Sequence, residues 1–559
     1  MKSPVPPAGH SSNSSAMTHP HDAQTPVLIA GAGPAGLAAA SELAHHGIRS
    51  IVVEPRREIS YIRPRAKTTS ARTMELFRRW GVADAVRRAA PLSREWCRRV
   101  VFCDDLACGA ITEFQDVFGL SAAEHGMAAE SGQQVMQPVV EDVLREHLAR
   151  TGLAELRLGE RLRGFTEQPD GVSCEIVRAD GSAYRLVSEY LLGCDGSRST
   201  VRDGIGATLH GSSAPYANLN AVIRAPGLRP ASGTALHYWV VGTDVPGVVG
   251  PLDHEGTWWV SLGEVGEPVG TESVVELIAR LAGRSVAELG IEVLSTDPWT
   301  PRMMLADRFA TERVFLVGES AHVNPPLGGH GFNTCVGDAV NIGWKIAAVL
   351  QGWAGAGLLA SYEVERRGVA ELTLASAVRN LRASGPERAT TAERIQETKA
   401  EEFSSLGLVL GYSYAGSPVI TGASEDVPPH LGVENYLPTT VPGARLPHAW
   451  VSPGHALYDD LGLGMTLLHP PDSDAEAVAA FADRAAALGI PLALLEFPKG
   501  THWTQDYLLV RPDQHIAWRG RDLEGADLSR LCGTSRCSGS PAPSSEKTQE
   551  GAHLCPCTD

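Results

Sequence analysis

Val27-Leu28-Ile29-Ala30-Gly31-Ala32-Gly33-Pro34-Ala35-Gly36 is the stretch on which the architecture turns. Four apolar residues of a buried strand run into a glycine turn, and an alanine-rich helical pattern follows to His46, where Gly47 stops it. Ile51–Val53 is the next apolar run, and Glu54 ends it. Strand, turn, helix, strand is a βαβ unit, the opening of a Rossmann-like α/β sheet. In that context Gly31 permits the tight turn, Gly33 lets a pyrophosphate approach the backbone, and Gly36 lets the helix pack close to the sheet. Pro34 and Ala35 open the helix, whose free N–H groups and positive dipole end suit phosphates. Glu54 lies where a carboxylate accepts hydrogen bonds from ribose hydroxyls. The motif alone does not choose between FAD and NAD.

Two later blocks also follow apolar strands. One is Leu192-Gly-Cys-Asp195-Gly196-Ser-Arg198. The other is Val314-Phe-Leu-Val-Gly318-Glu319, continuing into Pro325-Pro326-Leu-Gly328-Gly329-His-Gly331-Phe-Asn333. All three loops fit the carboxyl edge of one parallel sheet, where open α/β sheets bind ligands. Two prolines stiffen the last loop, and its glycines let a flat ring lie against backbone. A helix expected from about Thr334 to Gln351 aims its positive end there, which favours an anionic reduced flavin.

These blocks, in this order, resemble those of the FAD-dependent aromatic hydroxylases, the class A flavoprotein monooxygenases typified by para-hydroxybenzoate hydroxylase, over residues 26–400. The resemblance implies that the first block holds the ADP part of FAD and that Asp195-Gly196 serves both FAD and a passing nicotinamide. It implies that Glu319 bonds the ribityl chain, and that the loop carrying Pro326, Gly328, Gly329, Gly331 and Asn333 lines the isoalloxazine. Arg63-Pro-Arg65 looks like the family's arginine segment near flavin and nicotinamide, and Gln137 like a glutamine on FAD. The family usually has Gly-Asp where this chain has Gly318-Glu319, which keeps the carboxylate and adds a methylene.

By the same resemblance, NADPH or NADH reduces FAD, and O₂ adds to give a flavin C4a-hydroperoxide that hydroxylates a phenolic or polycyclic aromatic, a polyketide among the candidates. Catalysis belongs mainly to the flavin, and no protein base is identified. Baeyer–Villiger or epoxidising oxygenation on the same fold is an alternative, and a non-catalytic flavoprotein-fold binding module is another. A flavin-dependent halogenase is disfavoured, because no Trp-x-Trp-x-Ile-Pro segment occurs.

The expected organisation is a leader over 1–25, a discontinuous FAD-binding domain over 26–210 and 302–410, and an antiparallel substrate sheet over 211–301. A connector over 411–442 then leads to a thioredoxin-like α/β domain over 443–530 and a disordered tail over 531–559. The C-terminal domain has no Cys-x-x-Cys pair, so packing or dimerisation into a homodimer is its expected role, not thiol chemistry.

Composition narrows the setting. The 559 residues are 43% hydrophobic and 20% charged, an ordinary globular balance, and exceed one core. The net charge of −17 argues against nucleic acid as a partner. No run of eighteen apolar residues points to a membrane span, and the Ser/Pro/His-rich N-terminus lacks the apolar segment of a signal peptide. Ten irregularly spaced cysteines fit a reducing cytoplasm. Cys532, Cys537, Cys555 and Cys557 match no common zinc spacing, so no metal is expected. Among single residues, His322 follows a strand and reads as structural, bonded to backbone. His330 lies inside the flavin loop, and contact and packing are equally open for it. Of Tyr238 and Trp239 one must face inward and one outward, with Trp258 and Trp259 read alike.

Overall fold

Ala30, Gly193 and Leu316 end neighbouring parallel strands side by side. The computed structural model, which describes residues 23–96, 98–243, 246–265, 270–384, 389–422, 432–501 and 503–534, places these strand ends at the centre of a seven-stranded sheet. Its parallel part runs in the order Ala154–Leu158, Ser50–Glu54, Ala23–Ala30, Ala183–Gly193, Val314–Leu316. Continuous apolar runs such as Val27–Ala30 and Val314–Leu316 are what a strand covered on both faces requires. The antiparallel strands Gly171–Val177 and Arg161–Gln168 extend the same sheet from the N-terminal half of Ala183–Gly193. Helix Pro34–His45 packs against both Gln137–Thr151 and His330–Leu350. Among the described residues no helix is long and apolar enough to cross a membrane.

A second seven-stranded sheet runs in the order Glu292–Trp299, Ala217–Arg224, Thr257–Val265, Gly247–Pro251, His237–Val240, Val100–Cys103, Ala110–Phe114. Two of these strands lie outside the expected 211–301 range, which corrects that boundary. His237–Val240 pairs in parallel with Val100–Cys103, a partner far upstream, and nothing local in the short apolar run Val100-Val-Phe-Cys103 states which sheet it joins. Helix Thr271–Ala282 covers the outer face, burying Val274, Ile278 and Leu281 against Tyr238, Trp258 and Val260. The other face, with Trp239 and Trp259, fronts a cavity.

The C-terminal unit is a four-stranded sheet, Leu492–Glu496, Met465–His469, Tyr507–Val510, Ile516–Gly520. The first two strands are parallel and joined through helix Ala475–Ala487, and the rest are antiparallel, the thioredoxin-like pattern. Two boundaries at the chain ends need correction. Residues 23–25, expected in the leader, begin strand Ala23–Ala30. Leu531 and Cys532, expected in the tail, are buried, and Gly355 and Gly357 donate backbone hydrogen bonds to Cys532 and Gly533 at 2.9 and 3.1 Å. The rest of the expected leader and tail, with Cys537, Cys555 and Cys557, lies outside the described residues.

Candidate active site

The aligned strand ends open onto a cavity of about 1440 Å³. On its first side, Gly31 has φ +101, and its N–H donates to Val53 O at 2.8 Å. A Cβ on Gly36 would overlap the carbonyl oxygen of Gly31, so Gly36 acts by letting the helix close on the turn and does not itself line the cavity. The Cβ direction of Gly33 is open, and Gly33 begins helix Pro34–His45 with no side chain capping its N–H groups. Glu54 Oε2 accepts from Ala32 N at 2.8 Å, and Oε1 from Arg56 Nε at 2.7 Å. Burial works to raise the Glu54 carboxyl, but these donors outweigh it and hold it below its usual value.

The second and third blocks meet beside this turn. Asp195 accepts from Ser199 Oγ at 2.5 Å and Val201 N at 3.1 Å, while burial lifts its carboxyl above the ordinary range. Gly196, at φ +76, turns the chain so that its Cβ direction comes within 4.0 Å of the Glu319 carboxylate. Glu319 is exposed and lines the cavity. Its side chain thus extends beside the Asp195-Gly196 loop.

Pro326, Gly328, Gly329 and Gly331 line the cavity wall, and the helix expected from Thr334 starts a turn earlier, at His330. Gly329, at φ +68, precedes it with no side-chain cap. Asn333 is in that first turn and does not line the cavity. Its Oδ1 accepts from Ser70 N and Thr73 Oγ1, each at 2.8 Å, and its Nδ2 donates to Gly329 O at 2.8 Å. It binds the loop to helix Ala71–Arg79, a correction to its expected place on the ring. Arg63 also misses the cavity and pairs with Asp297 at 3.5 Å, whereas Arg65, at φ +49, lines it, as does Gln137. His322 is structural, but its partner is a carboxylate: Nε2 lies 2.7 Å from Asp338 Oδ2, which also accepts from Gly318 N at 3.1 Å. His330 is buried behind the loop, against the Cβ direction of Gly328, and burial lowers its ring to about 4.

The opposite side is aromatic. Trp239 and Trp259 face the cavity, and Tyr238 and Trp258 face the core, as strand alternation requires. His237 lies between the two inward tryptophans, with ring centroids 5.9 Å from Trp259 and 6.4 Å from Trp239. Helix Ala392–Phe403 closes this end, supplying Ile395, Lys399 and Glu402 to the lining. Sequence reasoning missed Lys67, His237, Lys399 and Glu402. Only the alternation around Trp239, which puts His237 on the same face, was available as a signal.

The residues present fit FAD. Two uncapped helix N-termini and the open side of Gly33 suit a pyrophosphate, and the Gly328–Gly331 backbone suits a planar ring. Comparisons with known proteins agree. An FAD binding domain model matches residues 24–377, and an aromatic-ring hydroxylase C-terminal model matches 439–535. The chain is similar to aklavinone 12-hydroxylase RdmE of Streptomyces purpurascens, 34% identical over 91% of this chain and 98% of that one. It is 32% identical to the FAD-dependent monooxygenase apdD of Emericella nidulans, over 90% and 89% of the two chains. A solved ternary complex of aklavinone-11 hydroxylase with FAD and aklavinone superposes with a TM-score of 0.80 at 30% identity, covering 92% and 99%. With the three blocks converging at one sheet edge opposite an aromatic wall, this chain belongs to the family of FAD-dependent aromatic-ring hydroxylases.

Proposed function

We propose that the protein inserts one oxygen atom of O₂ into a polycyclic phenol, with NADPH or NADH as transient reductant. The observation that carries this is the two-sided cavity. At about 1440 Å³ it exceeds the roughly 300–1,000 Å³ of a pocket for one drug-sized ligand, which leaves room for a fused-ring substrate beside the cofactor. FAD supplies the electrophilic oxygen when bound.

The chain's own residues bind, orient and exclude water. Gly31, Gly33 and the N–H groups of Pro34–His45 would receive the pyrophosphate. Glu54 would accept from the ribose hydroxyls in place of the exposed Arg56 guanidinium, which bonds both its oxygens here alongside Ala32 N and Arg56 N. Gln137, Asp195, Gly196 and Glu319 would hold the chain between nucleotide and ring, and Pro326, Gly328, Gly329 and Gly331 would face the ring itself. Arg65 lies at the cavity edge, where it would meet the nicotinamide, with Arg63 set back on Asp297. Phe102, Trp239 and Trp259 offer flat faces that hold an arene at attack distance and keep water from the reacting oxygen. The homologous polyketide hydroxylases support a polyketide-derived phenol as substrate. We place the enzyme in the reducing cytoplasm and leave the C-terminal unit its packing role, with a homodimer as the assembly to be checked by light scattering.

The test is turnover of the FAD-loaded enzyme with NADPH or NADH and a panel of polycyclic phenols under ¹⁸O₂. A product carrying one ¹⁸O on an intact ring is the expected result. A ring-expanded lactone would replace hydroxylation by Baeyer–Villiger chemistry. Reduced flavin that yields only H₂O₂ with every arene would overturn the substrate class.

A further inference from the structure

A row of five side chains crosses the cavity wall opposite the flavin loop, with a cation at each end. Lys67 Nζ stands 4.1 Å from the Trp259 ring centroid, and Lys399 Nζ stands 4.2 Å from that of Trp239. His237 lies between the tryptophans, at 5.9 and 6.4 Å, and all five residues line the cavity. The lysines arrive from different parts of the chain, Lys67 just before strand Thr68–Thr69 and Lys399 from helix Ala392–Phe403.

The row is rich in hydrogen-bond donors that protein does not use. Trp239 Nε1, Trp259 Nε1 and His237 Nε2 are buried and have no hydrogen-bond partner among the described residues. An indole N–H can only donate, so both tryptophans call for an acceptor. Burial and the two nearby ammonium groups push His237 down to about 3, so its ring is neutral and carries a single N–H. The two cations differ in their neighbours. Lys399 donates to Glu402 at 2.8 Å and to Ser384, so its charge is balanced within the protein. Lys67 donates only to the carbonyl of Arg65, at 2.9 Å, and among the described residues no carboxylate pairs with it. A half-buried charge without a counter-ion gains when a ligand supplies one.

We propose that the substrate binds as an anion, its charged ring oxygen received by Lys67 beside the Trp259 indole, so that Lys67 sets specificity for acidic over neutral arenes. This deepens the monooxygenase reading and rests on it. The shared chemistry is an anionic oxygen on a planar fused ring, either a carboxylate or an ionised phenol.

The test uses the FAD-loaded enzyme and two probe pairs, anthraquinone-2-carboxylate against its carboxamide, and 2-hydroxyanthraquinone against its methyl ether. Binding is read from perturbation of the flavin spectrum. The expected result is that at least one charged probe binds tenfold or more tightly than its neutral partner, and the pair that does so distinguishes carboxylate from phenolate. Lys67→Met should reduce that preference to within twofold, and Lys67→Arg should restore most of it, with equal FAD content in all three proteins. Equal binding of charged and neutral probes, no binding of any probe, or a preference that survives Lys67→Met would overturn the proposal. Flavin reduction by NADPH or NADH and ¹⁸O incorporation are read on the same preparations. An active, FAD-loaded enzyme without charge preference therefore removes only the anion site, whereas a protein that retains no FAD removes both readings.

Discussion

Gly31 shows how little tolerance the cradle has. Its φ of +101 is a conformation L side chains rarely adopt, and a Cβ there would overlap the carbonyl oxygen of Cys194 on the neighbouring strand. Backbone cannot retreat as a flexible side chain can. Gly31→Ala is therefore expected to cost about 3 kcal/mol, from strain plus overpacking. The purified variant should melt lower than the parent and retain little flavin on desalting; an unchanged Tm and flavin content would contradict the packing argument. Glu319 is the converse case. The sequence shows it as a departure from the family's aspartate, and in the structure its exposed carboxylate lies beside Gly196 in open cavity.

Asn333 shows what a single side chain does for an element. By bonding Ser70 and Thr73, it fastens the start of helix His330–Leu350 to the start of helix Ala71–Arg79. Asn333→Ala should cost about 1–3 kcal/mol, because Ser70 N–H loses its acceptor. It should also weaken FAD binding several-fold, measured by flavin fluorescence titration, while leaving the charge preference among substrates intact. The same helix marks a limit of sequence reading. Glycine at 331 lowers local helix propensity, so the sequence pattern begins at Thr334, whereas the backbone is helical from His330. The βαβ unit of Val27–Glu54 was legible because its signals are local. The aromatic wall was not, since it joins strands at 100–114 to strands far downstream. Lys67 and Lys399 were equally hidden, because a lysine in a loop or on a helix face carries no mark of the cavity it enters.

Across the whole molecule, buried charges bind the C-terminal unit to helices His330–Leu350 and Ala356–Arg382. Glu365 accepts from Lys345 and Arg511, each at 2.7 Å, and Arg511 also donates to Asp513 at 2.6 Å. Asp338 accepts from Arg366 at 2.6 Å, and Arg366 donates to Tyr414 at 3.0 Å. Arg511→Met would leave Glu365 and Asp513 short of their cation, and a cost of about 3–5 kcal/mol is expected in chemical denaturation. Acid should act in the same direction. Burial would raise Asp338, Glu365 and Asp513, but the surrounding cations outweigh it and hold all three below their ordinary values. Their contribution is complete above the unfolded carboxyl value, near 4.5 for Glu365, and is lost as pH falls toward the folded values. Burial also lowers His237 to about 3 and His330 and His448 to about 4. The unfolded chain takes up those protons near 6.5, so stability starts to fall below that pH. Urea midpoints should decline from pH 6.5 and more steeply below 4.5; a midpoint that rises on acidification would refute this.

The parallel pairing of Val100–Cys103 with His237–Val240 bears on how the protein is made as well as how it works. A ribosome delivers the first strand long before its partner, on the order of ten seconds earlier at roughly 5–20 residues per second. During that interval Val100, Val101 and Phe102, all buried in the finished fold, can pair only with the hairpin strand Ala110–Phe114. The aromatic wall thus leaves an apolar hairpin exposed on the nascent chain, and slower translation beyond residue 114 would lengthen that exposure.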